Sequence, residues 1–239
     1  MTTFDFGDGN GPVPAHQHVN GGGWVADTAI VADTAYVASS ARVFGDAWVC
    51  GDAEVCGDAE VFGDARVCGN VLVYGNARVY GNARVFGNAR VYGDAMVYGD
   101  AEVYGYARVF DNARVYGDAW VSAGARVSGD AEVCGKAQVF GKARVFGDAQ
   151  VYDNALVFGN ALVSANAQVK KTPFRVSRTD GYDFIYVPCR DGKMRVIAGC
   201  RHFTMKQARE HWTKTRGGTR LGEETMKILD YLESVSEIL

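Results

Sequence analysis

A valine recurs every six residues from Val25 to Val169, and all 25 positions of this series hold valine. An alanine stands two residues before most of these valines, and the residue between them is usually Arg, Glu or Gln, as in residues 83–85. Successive side chains of a β-strand point to opposite sides, so alanine and valine share one side and the charged residue takes the other. Because charged side chains are rarely buried without a partner, the alanine–valine side is predicted to face a core.

The strict period predicts a solenoid of stacked short strands. Residues 25–169 contain 24 six-residue intervals without an insertion, and three strands per turn give about eight coils. Most of the connecting turns are Gly-Asp or Gly-Asn. These residues tolerate a positive φ, which a sharp corner every six residues requires. The residue after each valine is mostly Phe or Tyr from Phe44 onward, and it is predicted to point outward with the charges.

The repeat unit V-[FY]-G-[DN]-A-x, as in residues 79–84, resembles that of the hexapeptide-repeat family. The resemblance implies a left-handed parallel β-helix of triangular cross-section over residues 25–169, so the chain is expected to be mainly β. The residue after the valine is usually small in that family and is aromatic here, for example Phe44 and Tyr74. Uninterrupted repeats beside a short tail are also similar to uncharacterised phage and prophage proteins, which implies an anti-host binding role.

The change in pattern predicts a capping segment over residues 1–24, the β-helix over 25–169, and a basic α+β cap or binding domain over 170–239. The last segment holds 14 basic and 9 acidic residues, whereas the rest of the chain holds 11 basic and 19 acidic residues. This opposite charge favours docking of the tail on the end of the β-helix. The apolar residues available to cover the first coil are Phe4, Phe6, Val13 and Trp24.

The tail has the pattern of a small α+β domain with a hairpin and two helices. An Asp-Gly pair at 191–192 is typical of a hairpin turn. Thr204 is a predicted N-cap, and Gly217-Gly218 should end the helix that follows it. Apolar residues from Leu221 to Ile238 recur at helical spacing and predict the second helix. The predicted strands lie at residues 174–176, 184–187 and 194–198.

Taking every third repeat sorts the outward aromatic residues into three columns. A β-rich surface favours such rings for packing alone, but three aromatic faces also indicate an interface. We therefore expect a dimer or trimer, with Tyr80, Tyr98 and Tyr116 as the candidate oligomer interface. The full first column is Phe44, Phe62, Tyr80, Tyr98, Tyr116 and Tyr152, and the second is Phe86, Tyr104, Phe140 and Phe158.

The third column lies beside an unbroken series of arginines and is the candidate binding face for a partner protein of unknown identity. An acidic corner with Asp58, Asp94, Asp130 and Asp148 follows this face, and the two charged series could set the register between subunits. The candidate binding residues are Tyr74, Tyr92, Phe110, Arg90, Arg108, Arg126 and Arg144.

Catalytic residues are scarce in the repeats. The resemblance implies acyltransferase activity on coenzyme A thioesters with a histidine base, but residues 25–169 contain no histidine and no inserted loop. A non-enzymatic protein without a cofactor is therefore predicted, because nothing in the repeats could deprotonate an acceptor. The alternative is an acyltransferase whose base comes from a terminal segment. The available histidines are His16, His18, His202 and His211.

Two sets of histidine and cysteine residues have only part of the pattern of a zinc site. His16 and His18 are two apart but have no further ligand nearby, so a pair of solvent-facing histidines is predicted. In the tail, only Cys200 and His202 are close in sequence, whereas structural zinc sites show paired ligands at both ends. Cys189 and His211 are the other two candidate ligands in the tail. No metal site is predicted from either set.

Basic residues around an aromatic ring make the tail a candidate binding module. Clustered Lys and Arg can meet nucleic-acid phosphates, an acidic surface of this chain, or a protein partner, and the residues leave these options open. The candidate residues are Arg201, Lys206, Arg209 and Trp212.

Four cysteines occupy outward positions of the repeat, and exposed thiols are typical of a reducing compartment. No signal-peptide pattern and no apolar run of about 18 residues is present, so a cytoplasmic protein without membrane contact is predicted. Cys50 and Cys68 should lie on adjacent rungs, where a free thiol ladder is favoured over a disulfide. The other two are Cys56 and Cys134. Together the observations favour a self-associating, non-enzymatic binding or scaffold protein.

Overall fold

The alanine and valine side chains form one continuous core along the repeats. The computed structural model describes residues 2–199 and 201–235. Every repeat valine from Val37 to Val163 is fully buried, and the alanines two positions earlier are buried with them. The residues between them are mostly exposed or half-buried, as Arg84 shows. The predicted orientation is therefore confirmed, and the fold is a mainly β solenoid of about eight coils.

Each coil adds one strand to each of three sheets, named face one, face two and face three. Valine pairs with valine between adjacent rungs, as in Val67 and Val85. Face one contains β1 (Thr3–Phe4), β2 (Val13–Gln17), β3 (Trp24–Ala26), β6 (Arg42–Val43), β9 (Glu60–Val61), β12 (Arg78–Val79), β15 (Met96–Val97), β18 (Arg114–Val115), β21 (Glu132–Val133), β24 (Gln150–Val151) and β27 (Gln168–Val169). Face two contains β4 (Ile30–Val31), β7 (Trp48–Cys50), β10 (Arg66–Gly69), β13 (Arg84–Gly87), β16 (Glu102–Val103), β19 (Trp120–Val121), β22 (Gln138–Val139) and β25 (Leu156–Val157). Face three contains β5 (Tyr36–Val37), β8 (Glu54–Val55), β11 (Leu72–Gly75), β14 (Arg90–Gly93), β17 (Arg108–Val109), β20 (Arg126–Val127), β23 (Arg144–Val145) and β26 (Leu162–Val163).

The corners between strands use left-handed backbone conformations. Gly141 has a φ of 75°, and a Cβ added there would lie 2.9 Å from the backbone nitrogen of Gly159 on the next rung. Ala123, one rung before Gly141, adopts the same conformation with a φ of 57°. Glycine accepts this conformation without a steric cost, whereas L-residues do not. The remaining non-glycine corner residues with positive φ are Asp111, Asp153 and Ala165.

The N-terminal segment adds a hairpin to the edge of face one and contacts the first strand of face three. Strands β1 and β2 form an antiparallel hairpin, and β2 pairs with β3. The Phe6 ring stacks on Phe44 at 4.8 Å, and the Phe4 ring stacks on Trp24 at 4.5 Å. The Gly23 amide donates to the Val37 carbonyl at 2.9 Å and so closes the edge of face three. The apolar residues predicted to cap the first coil thus extend an aromatic stack along its side.

The C-terminal domain places one side of a sheet on the solenoid core. Its antiparallel sheet contains β28 (Phe174–Ser177), β29 (Asp183–Pro188), β30 (Met194–Ala198) and β31 (Arg201–Phe203). Ile185, Val187 and Ile197 join the alanine–valine core of the last coil. Phe184 and Val196, from the opposite side of the sheet, pack against the helices. Strand alternation therefore divides one sheet between the two cores.

Two helices complete this domain, which confirms the predicted hairpin and helix pair. Helix α1 (Met205–Arg216) begins at the N-cap Thr204, which forms a capping box with Gln207, and it ends at Gly217. Helix α2 (Arg220–Ser234) begins at the N-cap Thr219. Strand β31 was not predicted. Ile238, assigned to the second helix from its spacing, lies outside the described residues. No helix in the described ranges is long and apolar enough to cross a membrane.

The cysteine prediction is wrong for one pair. Cys50 and Cys68 form a disulfide on face two, with their Cα atoms 4.6 Å apart. The parallel register places Cys50 directly beside Cys68, so the two side chains leave the sheet in the same direction. Free thiols in the described part of the chain are those of Cys56, Cys134 and Cys189. The prediction of a reducing compartment used four outward cysteines, and two of these four are joined in the disulfide.

Candidate functional site

Four arginines occupy consecutive rungs of face three. We name Arg90, Arg108, Arg126 and Arg144 the arginine column; each is paired in register with the next. Adjacent strands in a sheet lie about 4.8 Å apart, so the four side chains leave the same face at that spacing. The predicted arginine series is therefore a rigid line of positive charge.

In the described part of the chain, the arginine column lacks the carboxylate partners that several outward arginines on faces one and two have. On face one, Glu60 forms ion pairs with Arg42 at 3.6 Å and with Arg78 at 3.3 Å. On face two, Arg84 lies 3.4 Å from Glu102. Across residues 2–199 and 201–235, no ion pair includes a member of the arginine column, although the Arg144 guanidinium lies over the Phe146 ring at 5.4 Å. Like charges on neighbouring strands destabilise a sheet, so an anion placed here would be stabilising.

The aromatic residues predicted beside the column form a stacked wall. The Tyr74 and Tyr92 rings lie 4.7 Å apart, and the Tyr92 and Phe110 rings lie 4.9 Å apart. Burial raises the pKa of Tyr92, and the charges of Arg108 and Arg126 lower it in part. The tyrosine therefore stays neutral at physiological pH and adds no negative charge to this face.

A groove of about 370 Å³ lies between the column and the neighbouring corner, and we name it the corner groove. Glu54, Leu72, Arg90 and Arg108 form its floor along face three, while Asp52, Asn70, Asn88 and Tyr106 form its wall. Tyr106 is 70% exposed, the largest exposure of any aromatic side chain in the described residues. Sequence reasoning missed this groove. The available signal was Tyr106 itself, which occupies a corner position where the repeat normally has Asp or Asn.

Face two carries the exposed apolar surface. Trp48 and Trp120 are each 43% exposed, and they occupy the same column four rungs apart. Phe86 and Phe158 are exposed on the same face, as is Ile30 at its first rung. The sequence prediction considered only the aromatic residue after each valine. Trp48 and Trp120 precede a valine, so their column was not recognised as apolar.

The tyrosines predicted as the oligomer interface lie on face one and are half-buried. Rings of Tyr80, Tyr98 and Tyr116 stack at 4.9 Å, so their faces are already covered by one another. A hydrogen bond with Cys134 and burial raise the pKa of Tyr116 well above its usual range. Neighbouring arginines on this face are paired with Glu60 and with other carboxylates. Face one is thus a packed surface with compensated charge.

Only two of the four residues predicted for the C-terminal site are exposed. Trp212 is only 4% exposed and packs in the domain core, so its ring is not available to stack on a ligand. Arg209 joins the two helices through Asp230 at 2.7 Å and Glu233 at 2.6 Å. Both residues therefore stabilise the domain itself. The exposed members of the predicted set are Arg201 and Lys206.

The histidines are dispersed over the two ends of the chain. His18, predicted to face solvent, is buried, and its Nδ1 lies 3.1 Å from the carbonyl oxygen of Asn20. Burial lowers the pKa of His202. His211 lies against the Phe203 ring at 5.0 Å. The described residues contain no group of three His, Cys, Asp or Glu placed to share a metal ion, and Cys200 lies outside them.

One histidine has a carboxylate partner beside a cavity. The Nδ1 atom of exposed His16 lies 2.9 Å from Oδ1 of Asp27. Asp27 also lines a cavity of about 380 Å³ together with Phe6, Val13 and Phe44. A carboxylate at this distance can orient an imidazole as a base.

Comparison with known proteins agrees with the coil architecture. Segments 65–79, 77–91, 89–105, 107–123 and 149–165 match the repeat family described as "YdcK Beta solenoid repeat". A search of the curated proteins finds no match. A solved structure described as a "putative acetyltransferase" of Bacillus cereus is 14% identical, covers 85% of this chain and 91% of its own, and superposes with a TM-score of 0.22. The chain thus folds as a β-solenoid, and five of its segments are similar to the YdcK β-solenoid repeat.

Proposed function

We propose that this chain is a non-enzymatic binding or scaffold protein that associates with a second copy through face two. The observation that supports this function is the row of exposed aromatic side chains on that face. Large apolar patches are rare on monomers and mark interaction surfaces. Tryptophan and phenylalanine are enriched at such interfaces because they contribute a large contact area.

A second copy fits face two because both copies have the same rung spacing. Trp48 and Trp120 are separated by four rungs, about 19 Å, and charged residues occupy the rungs between them, so the tryptophans of two copies can meet at matching intervals. Three charged residues lie between the tryptophans in this column, and two of them, Arg84 and Glu102, form an ion pair. The Arg66 guanidinium lies over the Trp48 ring at 5.6 Å. Association through this face would therefore break no ion pair of Arg66 among the described residues.

Replacing Trp48 and Trp120 together with serine is expected to convert a dimer or trimer into a monomer. Both residues are exposed, so the β-sheet signal in circular dichroism should stay unchanged. Size-exclusion chromatography with light scattering measures the mass. The matched control replaces Tyr80, Tyr98 and Tyr116 with serine on face one, and this variant should keep the oligomer. A monomeric parent chain would refute self-association. If only the control variant became monomeric, the interface would lie on face one instead of face two.

An acyltransferase that uses coenzyme A thioesters is the second candidate, and the His16 and Asp27 pair beside its cavity favours it. Against this candidate, His16 is the sole histidine that contacts a carboxylate in the described residues, and the pair lies at the solenoid's first coil. We expect no acetyl-CoA binding in a calorimetric titration and no acetyl transfer to amines or sugars. Acetyl transfer that is lost in His16→Ala but kept in His211→Ala would establish the enzymatic alternative.

A further inference from the structure

In the residues that the structure describes, two asparagine side chains of the corner groove lack the aspartate partner that the asparagines at three other corners have. Elsewhere an asparagine donates its side-chain amide to the aspartate of the next rung, for example Asn76 to Asp94 at 2.8 Å. Within the described ranges, the side chains of Asn70 and Asn88 make no such bond, although they occupy equivalent corner positions. Their donors and acceptors therefore remain available to a ligand.

Charge changes sign along the groove. Asp52 and Glu54 lie at its first rung, and Arg90 and Arg108 lie two and three rungs later. The distance between these ends is about 14 Å, because each rung adds about 4.8 Å. Leu72 separates the two charged ends along the floor. One end of the groove can accept hydrogen bonds from hydroxyl groups, and the other can bind an anion.

Tyr106 presents a flat ring at the cationic end of the wall. No other aromatic ring of the described residues stacks on it, in contrast to the ladders on the three faces. An exposed ring with a polar tip provides an apolar platform for a partner that is itself part polar. This ring, the free amides and the charges form one continuous surface within a single groove.

We propose that the corner groove binds an oligosaccharide that contains uronic acid residues alternating with neutral sugars. The carboxylate of the acidic sugar binds Arg90 and Arg108, since a planar guanidinium pairs with a carboxylate through two hydrogen bonds. The apolar face of a sugar ring packs on Tyr106. Hydroxyl groups of the neutral sugar bind the amides of Asn70 and Asn88, and donate to Asp52.

A sugar fits this groove better than a nucleic acid does. The carboxylates of Asp52 and Glu54 would repel a phosphate chain that follows the groove, but they accept hydrogen bonds from sugar hydroxyls. Arg126 and Arg144 continue the arginine column beyond the groove and can bind further acidic sugars of a longer chain. The proposal rests on the non-enzymatic binding role, yet it uses a different face from the one proposed for self-association.

The test is binding of a hyaluronan octasaccharide, which alternates uronic acid with a neutral sugar, to the full chain. A calorimetric titration should show binding, while a neutral chitin oligosaccharide should not bind. Tyr106→Asn restores the usual corner residue of the repeat, and Arg108→Gln removes one charge; each should weaken binding at least tenfold. Arg216→Gln at the end of the first helix and Tyr231→Ala on the second helix are the matched controls, and each should change affinity less than twofold.

Three outcomes overturn the proposal. The first is that neither the octasaccharide nor any uronate-containing member of a glycan array binds. The second is that a single-stranded oligonucleotide binds more tightly and keeps its affinity in Tyr106→Asn, which would assign the arginine column to nucleic acid. The third is unchanged affinity in both groove variants. Light scattering of the same samples keeps this test separate from the proposed function. If the unmodified chain is an oligomer but binds no octasaccharide, only the groove proposal fails.

Discussion

Removing residues 170–239 is expected to make the remaining solenoid aggregate or form filaments. Ile185, Val187 and Ile197 cover the last coil, so truncation after Val169 exposes the buried end of the alanine–valine core. Each exposed valine side chain costs about 1.5–3 kcal/mol relative to its buried state. The strands of the last coil also lose their cover, and unpaired strand edges promote association with other chains.

Light scattering and electron microscopy of residues 1–169 measure this result. A point variant tests the same contact in the full chain: Val187→Asp places a charge against the last coil and should also cause association. Lys193→Asp, in the exposed turn of the same hairpin, is the matched control and should have no such effect. A truncated chain that stays monodisperse, together with an isolated tail that folds, would show that the tail is an independent binding module.

Two substitutions in a single corner column are expected to change stability in opposite directions. Gly141→Ala puts a Cβ in a left-handed conformation and 2.9 Å from the next rung, so it should lower the free energy of unfolding by about 3 kcal/mol. Ala123→Gly relieves the same conformational strain one rung earlier. Relief of this strain should raise the free energy of unfolding by about 1 kcal/mol. The greater conformational entropy of glycine in the unfolded chain offsets part of this gain.

Thermal unfolding followed by circular dichroism measures both changes. Unfolding of a solenoid can depart from a two-state transition because each coil is stabilised mainly by its neighbours. The change in Tm is therefore compared instead of an extrapolated free energy. Ala125→Gly serves as the control, since it removes the same methyl group from a core position and should only destabilise. A lower Tm for Ala123→Gly would show that the corner methyl contributes more by packing than it costs in strain.

The repeat region could be predicted in detail because its geometry has the same period as its sequence. Strand alternation assigned Ala83 and Val85 to the core, and the structure buries both. An 18-residue coil placed Arg90 beside Arg108, and the strand register does the same. The tail was predictable where local chemistry decides the structure, as at the N-cap Thr204.

Features that depend on contacts between distant segments could not be predicted in this way. Burial of His18 results from a loop that folds across the first coil, and nothing in its neighbouring residues indicates this. Trp212 resembled a surface residue because basic side chains flank it, yet it packs between two elements of the tail. The corner groove depends on Tyr106 lying in register with amides three and six repeats earlier in the sequence, a relation that a search for local motifs does not examine.

The uninterrupted coil also determines how such a chain can change length during evolution. Loss or gain of 18 residues removes or adds one rung and leaves every downstream side chain on its original face. Loss of a single six-residue repeat preserves the buried valines but rotates everything after it by one third of a turn. A six-residue deletion between Arg108 and Arg126 would therefore move Arg126 and Arg144 out of line with Arg90. One charged line would then be divided between two sides of the molecule. A six-residue change in length therefore leaves the core intact but moves the surface residues that follow it to a different face.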